Sequence, residues 1–250
     1  MDEGGPPVTL FDQSPAKLAL LIAYDGTAFS GFAPQPKGRT VGGSLASALA
    51  KVLRHSVDLV CAGRTDAGVH AWGQVVSLEA DPGVDPWRVR NSLNKMLGPE
   101  VVVRSCELAP PGFDARRSAV WRRYRYTILN RPTQDPFMSR YAWWVRDPLE
   151  IRAMAAAADP LLGEHDFAAF CRAGAPGSTT RRRVLSSNFW ELGDGVLRYE
   201  ITATAFCWQM VRSIVGTLVE VGAGGRNVAE VAAALRATDR ASAGAVAPPH

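Results

Sequence analysis

Asp66 is the first residue in the chain whose surroundings suggest chemistry. It stands in the stretch Cys61-Ala62-Gly63-Arg64-Thr65-Asp66-Ala67-Gly68-Val69-His70-Ala71-Trp72-Gly73-Gln74. This loop carries one carboxylate and, two residues earlier, one guanidinium, Arg64. Gly63, Gly68 and Gly73 permit positive φ or the close approach of another backbone. An Asp held on such a loop suits a catalytic acid, base or nucleophile. The plain alternative is a tight turn in which Asp66 only bonds nearby amides. The apolar run from Val57 to Cys61 leads into the loop and the alternating run from Val75 to Leu78 leads out, so the loop is expected between two strands.

Two further segments carry groups that could meet Asp66. In Trp121-Arg122-Arg123-Tyr124-Arg125-Tyr126-Thr127-Ile128 a strand's period of two puts Tyr124, Tyr126 and Ile128 on one face and Arg123, Arg125 and Thr127 on the other. Aromatic and Arg side chains together suit base stacking and phosphate contact, while half-buried tyrosines over solvated arginines is the ordinary reading. The stretch from Trp208 to Val221 reads as a helix, apolar on most sides, with a narrow stripe of Gln209, Arg212, Ser213, Gly216 and Glu220. Arg212 is the only cation in that stripe. A buried guanidinium needs a partner, because an unpaired buried charge is very costly. Asp66 is the economical one, and a snorkelling Arg212 that reaches water is the alternative. Arg116, Arg117, Arg122, Arg123 and Arg125, with Arg181, Arg182 and Arg183, form the densest positive stretches, suited to phosphate contact or to a solvated face.

The elements that must position these residues fall into an order. Residues 1–16 read as a flexible tail, followed by a strand from Leu18 to Tyr24 and a turn at Asp25-Gly26-Thr27. Thr40 can cap a helix from Val41 to Arg54, on which Val41, Leu45, Leu49 and Val52 repeat at helical spacing. The strand into Cys61, the Asp66 loop and a strand from Gln74 to Glu79 come next. Asp85-Pro86 opens a helix to Leu97, Gly98-Pro99 ends it, and Glu100 to Leu108 alternates as a strand. Strand, helix, strand, strand, helix, strand is the split pattern of ferredoxin-like domains. Pro110-Pro111-Gly112 marks the boundary, giving domains over 17–112 and 113–250.

The second half is expected to follow a similar plan. A strand from Val120 to Leu129 precedes a helix from Pro148 to Ala158. Gly163 to Phe170 reads as a turn and short helix beginning at His165-Asp166, and 171–180 as a loop. Strands from Arg183 to Leu192 and from Val196 to Ala205 flank the hairpin turn Gly193-Asp194-Gly195. Helices from Trp208 to Val221 and from Val228 to Ala237 complete the list. The expected class is α+β, with two ferredoxin-like subdomains built on antiparallel sheets.

Composition narrows the possible partners. With 250 residues, 47% of them hydrophobic, the chain can bury a core. Its net charge of +4 is carried by 24 Arg against only four Lys (17, 37, 51, 95), and Arg is the better bidentate phosphate partner. The four Cys (61, 106, 171, 207) form no close pair, and the four His are scattered, so neither a disulfide framework nor a metal site is expected. The N-terminus is unlike a signal peptide and no apolar run reaches membrane-spanning length. A reducing cytoplasm and no membrane contact are expected.

Gly63-Arg64-Thr65-Asp66-Ala67-Gly68-Val69-His70, followed by Gly73-Gln74-Val75, resembles the signature of TruA-type tRNA pseudouridine synthases. Tyr124, in Arg123-Tyr124-Arg125-Tyr126, and Arg212, in Met210-Val211-Arg212-Ser213-Ile214-Val215-Gly216, match two further motifs in the right order. The resemblance runs from about Leu18 to the end. It implies a pseudouridine synthase fold with a basic cleft between the two subdomains, usually in a homodimer. The implied activity is isomerisation of uridine to pseudouridine in the anticodon arm of tRNA, at positions 38–40, with no cofactor and no metal. Asp66 would be the catalytic carboxylate, as a nucleophile at sugar or base or in a glycal route. Arg212 would pair with it, Tyr124 would pack on the base, and Arg64 would fill the space left by the flipped nucleotide. Arg123 and Arg125 are candidates for RNA contact.

Three departures from the family pattern stand out. Gly31-Phe32-Ala33-Pro34 replaces the usual Gly-Trp-Gln, Ser213 stands where Asn is familiar, and Pro248-Pro249-His250 stand where a final strand usually follows. Lower stability than in a full-length relative is therefore expected. Two other functions fit the residues: a tRNA-binding module without catalysis, and a nucleoside or glycoside hydrolase, which would need a second carboxylate.

Overall fold

The structure, a computed structural model, describes residues 16–172, 174 and 177–249. The expected tail over 1–16 lies outside the described residues except for Ala16, which starts the first strand. The chain divides into two compact units. The first comprises the chain up to Thr65 with His70–Ser118. The second comprises Asp66–Val69 and the chain from Ala119 onward.

The first unit contains strands β1 (Ala16–Tyr24), β2 (Val60–Cys61), β3 (Ala71–Ala80) and β4 (Val101–Leu108), with helices α1 (Val41–Leu53) and α2 (Pro86–Leu97). The sheet order is β2-β3-β1-β4, all antiparallel, which is the ferredoxin-like arrangement. β1 looks continuously apolar in sequence, but only Leu18, Leu20, Ile22 and Tyr24 enter the core, as the pleat requires. Thr40 caps α1 by accepting from the Gly43 N–H (3.2 Å), and Asp85 caps α2 through the N–H groups of Trp87 and Arg88. Where β4 carries an extra residue against β1, the Asn94 side chain satisfies both backbone groups of Val103.

Some boundaries differ from the sequence expectation, each for a physical reason. β2 is only two residues long. Val57 and Leu59 pack on the core, but only Val60 and Cys61 pair with β3. β3 starts at Ala71, because pairing with Tyr24 extends it beyond its apolar stretch. The passage to the second unit comes after Ser118 rather than after Gly112, and Ala115 N–H donates to Ser77 Oγ (3.0 Å) in the first unit.

The second unit contains β5 (Arg122–Asn130), β6 (Trp143–Val145), α3 (Ile151–Ala158), β7 (Gly163–Asp166), β8 (Arg181–Glu191), β9 (Val196–Ala203), α4 (Met210–Gly222) and α5 (Ala229–Ala237). The sheet order is β6-β5-β9-β8-β7, antiparallel except for the short β5–β6 pair. Gly193, Asp194 and Gly195 turn the β8–β9 hairpin with φ of 87°, 49° and 70°. β6 had no periodicity to announce it; it pairs only with Ile128, Leu129 and Asn130. His165-Asp166 does not start a helix. It ends β7, and Asp166 Oδ1 accepts from Ala168 N–H and Thr180 Oγ1, just ahead of the short helical turn Ala168–Phe170.

Tyr199, Phe167, Phe170, Ile128, Met210 and Leu218 form the centre of the second core. Among the described residues no strand follows β9. Residues 243–249 instead run along α4. Gly244 N–H donates to Thr217 Oγ1 (2.9 Å), Ala245 N–H to Glu220 Oε1 (2.8 Å) and Ala247 N–H to the Arg212 carbonyl (3.0 Å). A Cβ on Gly216 would come within 1.8 Å of the Ala245 carbonyl oxygen, so only glycine admits the segment there.

Candidate active site

Within the first unit, the chain entering and leaving the Asp66 loop is pinned by side chains. Gln74 brackets Gly63, donating to its carbonyl (2.5 Å) and accepting from its N–H (3.3 Å). Tyr24 Oη lies 2.8 Å from Thr65 Oγ1, and Phe32 N–H donates to the Thr65 carbonyl. Burial raises the Tyr24 phenol, with the Thr65 and Gln74 bonds opposing it, so it stays a neutral hydrogen-bonding group. Gly26 N–H donates to His70 Nδ1 (3.0 Å). Phe32, at the first departure from the family pattern, is thus a buried part of this support.

Asp66 itself is held in the second unit. Arg212 Nη1 donates to Asp66 Oδ2 (3.0 Å) and Trp208 Nε1 donates to Asp66 Oδ1 (3.0 Å). The side chains of Arg212 and Asp66 are 21% and 25% exposed, screened enough for the pair to matter yet open to a substrate. Each carboxylate oxygen keeps a further acceptor direction, so both bonds leave Asp66 able to attack or accept a proton. Gly68 turns the loop at φ 79°, and a Cβ there would meet Pro249 Cγ at 2.8 Å.

Arg212 is aimed from two sides. Its Nε donates to the Ala247 carbonyl (2.7 Å), while its own carbonyl accepts from Ala247 N–H. One residue of the C-terminal segment therefore fixes both the backbone and the head of Arg212. Tyr126 Oη donates to the Pro248 carbonyl (2.8 Å). Burial pushes the Tyr126 phenol up, only partly offset by the Arg212 charge, so it remains a donor at neutral pH.

Trp208 is aimed by backbone geometry. Gln209, the residue before α4, is left-handed (φ 61°), a conformation that a non-glycine residue adopts only at a cost of roughly 1–2 kcal/mol. The Trp208 carbonyl accepts from Arg172 N–H (2.9 Å), and the Arg172 guanidinium lies 4.3 Å from the Trp208 ring centre. Tyr124 packs edge-on against Phe206 at 4.9 Å, two residues from Trp208.

A profile of the family described as tRNA pseudouridine synthase matches residues 20–115 and 157–250. The chain is 41% identical over 237 residues to tRNA pseudouridine synthase A of Halalkalibacterium halodurans, covering 94% of this chain and 89% of that one. It is 43% identical to the Brevibacillus brevis protein of the same name, covering 93% and 95%, and 44% identical to the Frankia casuarinae one, covering 94% and 86%. The chain belongs to the tRNA pseudouridine synthase family. It is accordingly an isomerase with the α+β pseudouridine synthase fold, and no helix among the described residues is long and apolar enough to cross a membrane.

Arg64 is exposed in the first unit. Arg123 and Arg125 point away from the Tyr126 face of β5 and share one carboxylate, with Arg125 Nε 2.6 Å and Arg123 Nε 3.4 Å from Glu200. Strand alternation had separated these arginines from the tyrosines; it carried no sign of Glu200, which lies on β9 opposite Arg125. Trp208 and the Ala247 carbonyl were missed as well. Trp208 read as the first residue of an apolar helix. A lone polar head at the mouth of such a helix was the only available signal, and backbone carbonyls leave none.

Proposed function

We propose that this chain isomerises uridine to pseudouridine in the anticodon arm of tRNA, at positions 38–40, with Asp66 as the catalytic carboxylate. The observation that carries the reading is Asp66 gripped through both oxygens by Arg212 and Trp208, within a loop that matches the family signature. The reaction breaks the bond from ribose C1′ to uracil N1, turns the base and rejoins it through C5. N1 gains a proton and C5 loses one, so no redox partner or co-substrate is consumed. The pair of the C1′–N1 bond leaves with the base, while Asp66 adds to the sugar or base, or takes a sugar proton in a glycal route, and is released when C1′ joins C5. Arg212 stabilises its negative charge whenever the carboxylate is freed. Tyr124 packs on the base and handles a proton.

The target base must leave its stack, and Arg64 takes its place in the helix. Arg123 and Arg125 contribute to phosphate binding only by exchanging Glu200 for a phosphate oxygen, so their share is small. From the same family reading we propose a homodimer working in the cytoplasm, without cofactor, and two subdomains that each follow the ferredoxin-like plan.

Incubation with unmodified tRNA transcripts, followed by pseudouridine mapping, tests the reading. Pseudouridine at one or more of positions 38–40 is expected. Free uracil and an abasic sugar would instead assign a hydrolase, and salt-sensitive tRNA binding with every uridine unchanged would assign a binding module.

A further inference from the structure

Two β-bulges flank β1 at the same level of the first unit's sheet. Between the pairs Ile22–Gln74 and Tyr24–Ala71, Trp72 and Gly73 of β3 stand against Ala23 alone. On the other side of β1, the pairs Leu21–Ser105 and Ile22–Val103 leave Arg104 as the extra residue of β4. A bulge bends its strand and re-aims the side chains within it. These two bulges are joined. Arg104 Nη1 donates to the Trp72 carbonyl (2.8 Å), so the guanidinium reaches over β1 to hold the backbone of the other bulge. The Trp72 backbone is thereby fixed while its side chain is left in water. At 80% exposed, Trp72 is the most open tryptophan among the described residues. Gly73 and Ala23 beside it are too small to cover an indole.

We propose that Trp72 and Arg104 form a stacking platform for an unpaired nucleobase of the tRNA substrate, with a phosphate of the same strand on Arg104. Every base has a π-face, and stacking it on an indole takes apolar surface of both out of water. Arg104 brings charge of the required sign. Arg123 and Arg125 share the Glu200 carboxylate, whereas Arg104 binds a neutral carbonyl. Among the described residues that bond engages only one of its five N–H donors, so a phosphate needs to displace nothing. Trp72 is the second residue of β3, the strand that leaves the Asp66 loop, so the chain runs from the signature straight into the platform. Stacking tolerates any base, and the platform therefore strengthens the hold on many tRNAs rather than selecting one.

The platform rests on tRNA as the substrate and not on Asp66 as the catalytic group, so binding is the primary readout. The full chain is titrated with an unmodified tRNA transcript at several salt concentrations, and turnover, thermal midpoint and oligomeric mass are measured on the same variants. Trp72→Ala should weaken binding about tenfold. The loss should fall on Kd and KM more than on kcat, with the midpoint little changed. Trp72→Tyr should regain most of the affinity and Trp72→Leu should not, because leucine is apolar but has no ring to stack on. Arg104→Ala should weaken binding and reduce the slope of log Kd against log salt by about one phosphate contact, a slope that Trp72→Ala leaves in place. Ultraviolet cross-linking of the wild-type complex should attach a nucleotide to the peptide carrying Trp72.

Trp72→Ala that binds within about twofold of wild type would overturn the platform, since a stacked base is worth more than that. Equal affinities for Trp72→Tyr and Trp72→Leu would overturn the stacking. A fall in oligomeric mass for Trp72→Ala with tRNA affinity kept would also overturn it, and would give the surface to a second copy of the chain. A chain that cross-links through Trp72 but never makes pseudouridine would refute the proposed function and leave the platform standing. A wild-type chain that binds no tRNA would overturn both.

Discussion

Helices α2 and α4 hold the same place in the element order of their units, yet they are differently used. α2 buries only Val89 and Leu93, and β4 follows it to pair with β1. In α4 every residue except Arg212 and Glu220 is buried, and an irregular segment follows along the helix instead of a strand. Those two exceptions are the charged residues of α4, and that segment binds both of them, through Ala247 and Ala245. A helix immersed in apolar neighbours can carry a charge only if another part of the chain supplies polar partners. For Arg212 those partners are Asp66 and a backbone carbonyl, and the same bonds that make the charge tolerable also aim it.

This contrast can be broken at several points. The largest effect is expected from Arg212→Ala, which leaves Asp66 without its cation. The turnover rate should fall by roughly 10²-fold or more, with tRNA affinity largely kept; a rate within a few-fold of wild type would separate the ion pair from the chemistry. Gly216→Ala comes next, because the new methyl group collides with the Ala245 carbonyl. A loss on the order of 1–3 kcal/mol is expected in denaturant unfolding, together with slower turnover, whereas Gly83→Ala, strained by its φ of 79° but with nothing near its Cβ, should leave turnover unchanged.

Trp208→Phe keeps the ring and removes the donor. It should lower kcat about tenfold and leave KM nearly unchanged, as expected for a bond of 1.5–3 kcal/mol to a charged group that is only partly shielded. The smallest effect concerns Glu220. Burial works against its charge, but the Ala245 N–H and Arg226 hold its carboxyl below the usual value of 4.5. Its contribution to stability is therefore present above pH 4.5 and lost as the pH falls through its lower folded value. Glu220→Gln should unfold at a lower temperature than wild type at pH 7, and the gap should narrow as the pH falls below 4.5. A gap independent of pH would remove the charge from the explanation.

Much of this was legible in the sequence. The split order of the first unit followed from hydrophobic period and capping residues, because each element there is regular and locally signalled. Arg212 was legible as one cation on an apolar helix, and its need for an acid pointed to Asp66. What escaped notice was contributed by irregular backbone. The Ala247 carbonyl and the left-handed Gln209 depend on where the chain passes rather than on residue type. β6 and β7 are short strands whose residues pair because a longer neighbour offers an edge. Glu200 is visible only through the register that sets it across from Arg125.

The central claim is that the grip on Asp66 serves its chemistry and not merely the fold of the loop. Asp66→Asn keeps the size of the side chain and removes its negative charge, and its single acceptor oxygen can keep only one of the bonds from Arg212 and Trp208. Single-turnover formation of pseudouridine in a tRNA transcript, measured beside tRNA affinity and the thermal midpoint, should fall by on the order of 10³-fold or more while the other two change little. Turnover within tenfold of wild type would contradict the assignment of Asp66 as the catalytic carboxylate.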